Sequence, residues 1–440
     1  MHLAIVGAGW AGLAAAVSAV DAGHRVTVFE AARTPGGRAR SFAMPAPHGD
    51  ERVLDNGQHI LIGAYSETLR LMAHVGVDID AALLRLAFSL TFPDGAGLRL
   101  PRLTAPLDAV AGIVRATGWS WRDKASLLRA ALRWRRAGFE CAARTTVAEL
   151  CSGVSPRVRE EMIDPLCVSA LNTPAERASA QVFLRVLRDA MFAGAGASNL
   201  LLPRVDLGSL FPAAAARWLS ARGYPTRTGR RVRSLNASSD GSWQVDGETF
   251  DSVLLACPPI DAARLLADAS GITASGEWQK RAQALRFEAI ATVYLEGVHR
   301  LDAPMHALRS SSACPAQFVF DRSWLGGPDG LWAMVVSASD MAREPLEAAV
   351  CEQARRQLGA VGARVLQTVV EKRATFACTP GLMRPGMQIA AGLLACGDYV
   401  EGPYPATLEG AVRSGMAAAA MAVARSPALP DRVHTHPAAA

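Results

Sequence analysis

Between His2 and Glu30 the pattern of apolar and polar positions changes period twice. Leu3-Ala4-Ile5-Val6 is an unbroken apolar run, which predicts a buried strand of a parallel sheet. The turn Gly7-Ala8-Gly9-Trp10-Ala11-Gly12 follows and leads into a smooth helical stretch from Leu13 to Ala22. Gly23-His24 stops that helix, and Arg25–Phe29 reads as a second strand ending at Glu30. Strand, glycine turn, helix, strand and acid in this order form a dinucleotide-binding pattern. Gly7 allows the tight turn, Gly9 lets backbone approach a pyrophosphate, and Gly12 lets helix and strand pack closely. Trp10 and Ala11, within this turn, are cofactor-binding candidates with the glycines, and the helix N-terminus that follows presents free N–H groups to the anion. Glu30 lies about twenty residues past the last glycine, where a carboxylate accepts from ribose hydroxyls.

Further on, the periodicity predicts a helix from Glu67 to His74 and a hairpin of strands within Leu83–Leu100, turning at Pro93-Asp94-Gly95. Met44–Asp50, with Pro45 and Pro47, reads as a loop. Leu107, Val110, Ala111 and Val114 recur at helical spacing. Trp119-Ser120-Trp121 leads a second helix, with Ser120 and Asp123 placed as a capping box. That helix carries Arg122, Lys124, Arg129, Arg133, Arg135 and Arg136 against Asp123 alone. Two readings stay open for it: an interfacial membrane contact made with Trp119 and Trp121, or a solvated charged face above core tryptophans. Residues 147–193 are mostly helical, broken at Ser155-Pro156 and Asn172-Thr173-Pro174, and suit a cap over a substrate or, equally, plain core packing. A helix is expected over Ser209–Arg222. Strands are expected at Arg231–Leu235, Trp243–Val245, Phe250–Ala256, Arg286–Glu296, Phe318–Phe320 and Leu331–Ala338, with Arg364–Phe376 extended.

At 440 residues the chain suits two joined domains, and half of its residues are hydrophobic. The net charge of +6 is mild; it does not call for nucleic acid and is compatible with an anionic membrane surface. Eight cysteines include no CxxC pair, so they read as reduced thiols of a cytoplasmic protein, with no metal site and no disulfide framework. Leu3–Val20 is uncharged, but it lacks a basic leader and glycines interrupt it; neither a signal peptide nor a membrane span is read there.

Three blocks carry the chemistry. Gly36-Gly37-Arg38-Ala39-Arg40-Ser41 adds N–H donors and a guanidinium suited to phosphates. Asp55-Asn56-Gly57-Gln58-His59-Ile60-Leu61-Ile62-Gly63-Ala64-Tyr65 is the second. Gly397-Asp398-Tyr399-Val400-Glu401-Gly402-Pro403-Tyr404-Pro405, running on through Thr407-Leu408-Glu409 into a helix, is the third. Together with the first turn these blocks resemble the flavin amine oxidase and phytoene desaturase superfamily, and within it the squalene-associated desaturases, or hydroxysqualene dehydroxylases. The resemblance implies FAD as cofactor. It implies an α/β, two-domain flavoprotein: a Rossmann-like GxGxxG FAD-binding domain from 1–82, 200–264 and 365–425, and an α+β substrate domain from 83–199 and 265–364; the tail at 426–440, with its prolines and small residues, is expected to be flexible.

It also implies that Gly37 and Arg38 meet the phosphates, that backbone around Val232 holds the adenine side, and that Asp398 binds the ribityl or pyrophosphate region. Thr407-Leu408-Glu409 would then lie under the isoalloxazine, with Gly57, His59 and Tyr65 near the reactive face. The implied reaction is reductive removal of hydroxyl from hydroxysqualene in hopanoid synthesis, by hydride transfer from reduced flavin to an allylic cation. His59 is the candidate proton donor, since an imidazole's ordinary pKa suits acid work near neutrality; the alternative is a histidine that merely satisfies a backbone carbonyl. Expected partners are a lipophilic isoprenoid, a peripheral contact with the inner membrane, and enzymes that form hydroxysqualene and cyclise squalene. Carotenoid desaturation, amine oxidation and a lipid carrier with a structural flavin remain the competing readings.

Overall fold

The apolar run becomes β1 (His2–Val6), which sits between β2 (Arg25–Phe29) and the strand Ser252–Leu255, parallel to both. Leu393–Ala395 extends this sheet in parallel, and Gln388–Ala390 closes it as an antiparallel edge. The computed structural model describes residues 1–45, 51–192, 194–270 and 275–424. Leu3 and Ile5 pack into one core cluster and Ala4 and Val6 into another. Both sheet faces are therefore covered, which is why β1 shows no alternation. Helix α1 (Trp10–Asp21) covers one face with small residues and packs on the helix Leu408–Val423. Gly415 makes that approach possible, since a Cβ there would run into the carbonyl of Ala11.

A second, antiparallel sheet runs in the order Met305–Ala307, Phe318–Asp321, Leu331–Ser337, Phe287–Glu296, Arg364–Phe376. The helix Arg343–Leu358 packs on one face. On the other, Tyr294, Phe318, Phe320 and Val335 join Leu90, Leu200 and Leu202 in a separate apolar cluster. Arg364–Phe376, expected with the nucleotide-binding unit, thus pairs with Phe287–Glu296 instead.

Other elements depart from the sequence expectation. The hairpin is formed by Ser89–Thr91 and Gly97–Arg99 only; Leu83–Leu86 pairs with Leu200–Pro203, which also takes Leu61–Ile62. Arg231–Ser234 is not a strand, and pairing starts at Leu235. The helix expected over Ser209–Arg222 is two, Leu207–Leu210 and Pro212–Ser220, because Pro212 cannot continue the first. Met44 and Pro45 belong to the strand Ser41–Pro45, paired with Glu51–Asp55; the remainder of the expected loop, with Pro47, and the tail 426–440 lie outside the described residues.

Ser120 and Asp123 do form a capping box on the helix Trp121–Arg136. Trp119 is buried, its indole N–H donating to Glu161 Oε2 at 2.8 Å, so it is a core residue and not an interfacial anchor. Among the described residues no helix is long and apolar enough to cross a membrane, and no cluster suits a metal ion. All eight cysteines are free; burial pushes the thiols of Cys151, Cys257, Cys378 and Cys396 up to about 12.

Candidate functional site

Four parallel strands end at one cavity of about 710 Å³. Gly7 follows β1, Glu30 follows β2, Ala256-Cys257 follow Ser252–Leu255, and Cys396-Gly397 follow Leu393–Ala395; all line it. Ligands of open parallel sheets bind at these carboxyl ends. Gly7 has φ +116°, and a Cβ there would sit 2.6 Å from the carbonyl oxygen of Ala256. At Gly9, by contrast, a Cβ would meet only Gly37 Cα, 3.8 Å away. The chain has left room above the turn while closing it below. Helix α1 begins there with no side-chain cap, so its first N–H groups have no competing oxygen from the N-cap residue.

Glu30 steadies this turn. Its Oε2 accepts from the Ala8 amide and its Oε1 from the Ala32 amide, each at 2.7 Å, and both oxygens keep a lone pair for further donors. The Gly36 amide donates to Ala8 at 2.9 Å, which brings the Gly-Gly-Arg turn beside the first. Arg38 donates through Nη1 to Ala374 at 2.9 Å and through Nη2 to the buried carboxylate of Asp398. Arg384 donates to the carbonyls of Val400, at 2.7 Å, and Gly402, fixing the loop after Asp398.

Of the residues singled out in the sequence, Gly7, Gly9, Trp10, Ala11, Glu30, Gly37, Arg38, Gly57, His59, Tyr65, Val232, Gly397, Asp398, Thr407 and Leu408 line this one cavity. Gly12 and Glu409 do not. A Cβ on Gly12 would run into the carbonyl of Gly7, so its part is helix–strand packing. Glu409 is buried beneath the site: Oε2 accepts from the Thr68 amide at 2.9 Å and its hydroxyl at 2.7 Å, and Oε1 from Glu67 N and Arg413 Nε. This carboxylate ties the helix Leu408–Val423 to the helix Ser66–His74, and its side chain is not on the cavity wall.

Burial, helped by the charge of Arg38, pulls His59 down to about 4, so its imidazole is neutral at rest. Burial, with the Glu409 carboxylate nearby, raises the Tyr65 phenol despite its hydrogen bond with Thr407.

The cavity is also walled by apolar side chains, Phe88, Leu90, Leu166, Val186, Phe318 and Phe320 among them. Two polar devices cross it that sequence reasoning missed. Asn172, at φ +46°, donates to Thr375 Oγ1 at 3.1 Å and accepts from the Ala338 amide at 2.8 Å, joining the helical cap to the antiparallel sheet. Gln58, on the wall, donates to the Tyr294 hydroxyl at 3.0 Å and accepts from Arg322 Nη1 at 3.0 Å. Tyr294 in turn donates to the Asp55 carbonyl at 2.8 Å. Burial pushes the nearby Asp55 carboxyl up to about 6, against the Leu207 amide and Arg322, which lower it. The one sequence signal for this network was Tyr294 itself, a polar-tipped residue in an apolar strand.

A cavity with a glycine-lined anion cradle at the carboxyl ends of a parallel sheet, walled elsewhere by apolar side chains, defines a dinucleotide-dependent enzyme. The chain belongs to the flavin containing amine oxidoreductase family, whose sequence profile matches residues 10–423. It is an FAD-dependent oxidoreductase. It is similar to the hydroxysqualene dehydroxylases of Rhodopseudomonas palustris, at 29% identity, and Sinorhizobium fredii, at 28%; each match covers 96% of this chain and 98% of the relative. Its fold is that of an oxidoreductase structure from Methanosarcina mazei, with a TM-score of 0.69 over 95% of this chain and 99% of the other, at 18% identity. The open space over Gly9, the uncapped start of α1 and the free lone pairs of Glu30 fit FAD.

Proposed function

We propose that the chain removes the hydroxyl of hydroxysqualene reductively to give squalene, on the path to hopanoids and related triterpenoids. The full-length likeness to hydroxysqualene dehydroxylases carries this reading, and the apolar walls of the cavity support it. Bound and reduced, FAD supplies a hydride. The first glycine turn and Glu30 would hold the pyrophosphate and ribose, and Arg38 and Asp398 the phosphate and ribityl side. Gly57, Thr407 and Leu408 would shape the wall beside the ring system, and the backbone at Val232 would hold the adenine side. The apolar walls exclude the water that would recapture an allylic cation.

His59 is the proton donor in this scheme. Its low proton affinity makes the imidazolium scarce and strongly acidic, and the leaving hydroxyl takes the proton and departs as water. The isoprenoid reaches the cavity from a membrane, since a hydrocarbon of this class is nearly insoluble in water. One purified sample offered hydroxysqualene, a carotenoid precursor and a panel of amines tests the reading. Squalene from the first supports it; desaturated carotenoid or oxidised amine in its place overturns it.

A further inference from the structure

The helix Leu107–Arg115 buries Ile113 in the core yet carries a second set of apolar residues on its outer side. Leu107, Val110 and Val114 share one face, and all three are exposed, Leu107 at 60%. The opposite side is buried: Gly112 lies so close to the hairpin that a Cβ would meet Leu100 Cδ2 at 2.6 Å and Leu98 Cδ1 at 3.3 Å. An amphipathic helix in a globular protein normally turns its apolar stripe inward. Here the stripe is extended at both ends by exposed apolar groups. Leu103 precedes it, 52% exposed, and Trp121 follows it, 71% exposed.

Lys124 holds the two ends of this surface together. Its Nζ donates to the Val114 carbonyl at 2.8 Å and stands 5.1 Å from the centre of the Trp121 ring. Lysine at the last carbonyls of a helix, stacked on tryptophan, keeps its cation at the rim of an apolar patch. The segment Arg99–Arg136 carries nine arginines and lysines against two acids. Both acids are engaged locally: Asp108 accepts from the Ala109 amide at 2.7 Å, and Asp123 accepts from Ser120 in the capping box. An apolar stripe with an indole and a net basic surround matches an anionic bilayer in both hydrophobicity and charge.

The position matters as much as the chemistry. The Ser89–Thr91 strand of the hairpin contributes Ser89 and Leu90 to the cavity wall, and the helix Leu107–Arg115 sits on residues of its partner strand Gly97–Arg99 and on Leu100. One two-stranded hairpin lies between the exposed stripe and the cavity.

We propose that Leu103, Leu107, Val110, Val114 and Trp121 form the surface by which this protein docks on an anionic lipid bilayer. The stripe penetrates the acyl boundary, and the surrounding arginines and Lys124 lie at headgroup level. The proposal deepens the reading of a membrane-derived substrate, but it is tested without substrate, so the two fail separately.

The holoprotein is floated with vesicles of phosphatidylcholine alone or with a third of phosphatidylglycerol. The parent should float with the anionic vesicles at least tenfold more than with the neutral ones, and lose most of that binding as salt is raised. Leu107→Glu/Val110→Glu should lower flotation at least tenfold with the bound flavin spectrum unchanged, and Trp121→Ala should lower it severalfold. Val361→Glu, at a residue 84% exposed elsewhere, should float like the parent and controls for added charge. Equal flotation of the parent and the double variant overturns the proposal. So does light scattering that shows a dimeric parent and a monomeric double variant, which would make a second copy the occupant.

Discussion

Arg38 and Asp398, 360 positions apart in the chain, form an ion pair on the wall of the cavity. Arg38 comes from the turn after β2 and Asp398 from the end of the strand Leu393–Ala395, so the pair joins the two blocks read as halves of one cofactor site. Asp398 is buried, and Arg38 is partly open to the cavity.

Because each partner orients the other, Arg38→Gln and Asp398→Asn should each weaken FAD retention, and their effects should not add. The coupling expected between contacting groups of this kind is about 0.5–3 kcal/mol. Fluorescence titration of apoprotein with FAD across the two single variants and the double variant measures it. Strictly additive losses would mean that the pair is incidental to the site.

Glu409 illustrates a residue whose motif is plain and whose placement is not. Its carboxylate is 1% exposed and accepts from Thr68, the Glu67 amide and Arg413. Glu409→Ala should therefore cost about 1–3 kcal/mol of stability, the usual penalty for leaving buried donors, here those of Thr68, without an acceptor. Urea unfolding followed by circular dichroism reads that loss. A change confined to the flavin spectrum, with stability kept, would return Glu409 to the cavity.

What the sequence made legible was local. Gly7, Gly9 and Gly12, Glu30 past the second strand, and the Ser120–Asp123 capping box each act within a stretch whose spacing alone constrains the backbone. Partners brought from afar were hidden. Trp119 and Trp121 look alike in sequence, but the first is buried in the core, with Glu161, 42 residues on, accepting from its indole N–H. The hydrogen bond from Gln58 to Tyr294 spans 236 residues, and no periodicity points to it. The stripe Leu107–Val110–Val114 was visible as a helix face, but its direction depends on which side of the helix the hairpin occupies.

Two buried groups near the site should give the apoprotein opposing pH dependences. His59 is held at about 4 against an ordinary 6.5, so protonating it opposes folding. Its contribution is present above pH 6.5 and lost as pH falls through 4. Asp55 is held up to about 6 against 3.8, so its neutral form favours folding; its contribution is full below pH 3.8 and lost as pH rises through 6. Urea midpoints of the parent minus those of His59→Gln should thus rise with pH between 4 and 6.5. The same difference for Asp55→Asn should fall over that span. Two curves of the same slope would rule out one of these burial effects.

The proton and the hydride of the proposed reaction can be followed separately. With His59 held at about 4, the imidazolium fraction grows about tenfold for each unit that pH falls through the neutral range. If that imidazolium protonates the leaving hydroxyl, the single-turnover rate on hydroxysqualene should climb as pH is lowered from 8 toward 5. His59→Phe should abolish the climb and slow the turnover by about a hundred- to ten-thousand-fold, the usual range for a general acid. The yellow colour of the variant should persist, since the residues proposed to hold the pyrophosphate, ribose and ribityl side are unchanged. A parent-like rate and profile in His59→Phe would leave this histidine a packing residue. Reduction of the holoenzyme in deuterated water, followed by anaerobic turnover, should place one non-exchangeable deuterium at the carbon that bore the hydroxyl. Squalene without that label would exclude hydride transfer from the reduced flavin. Return of hydroxysqualene untouched, while a carotenoid precursor gains double bonds, would instead make this cavity the site of a desaturase working in the oxidative direction.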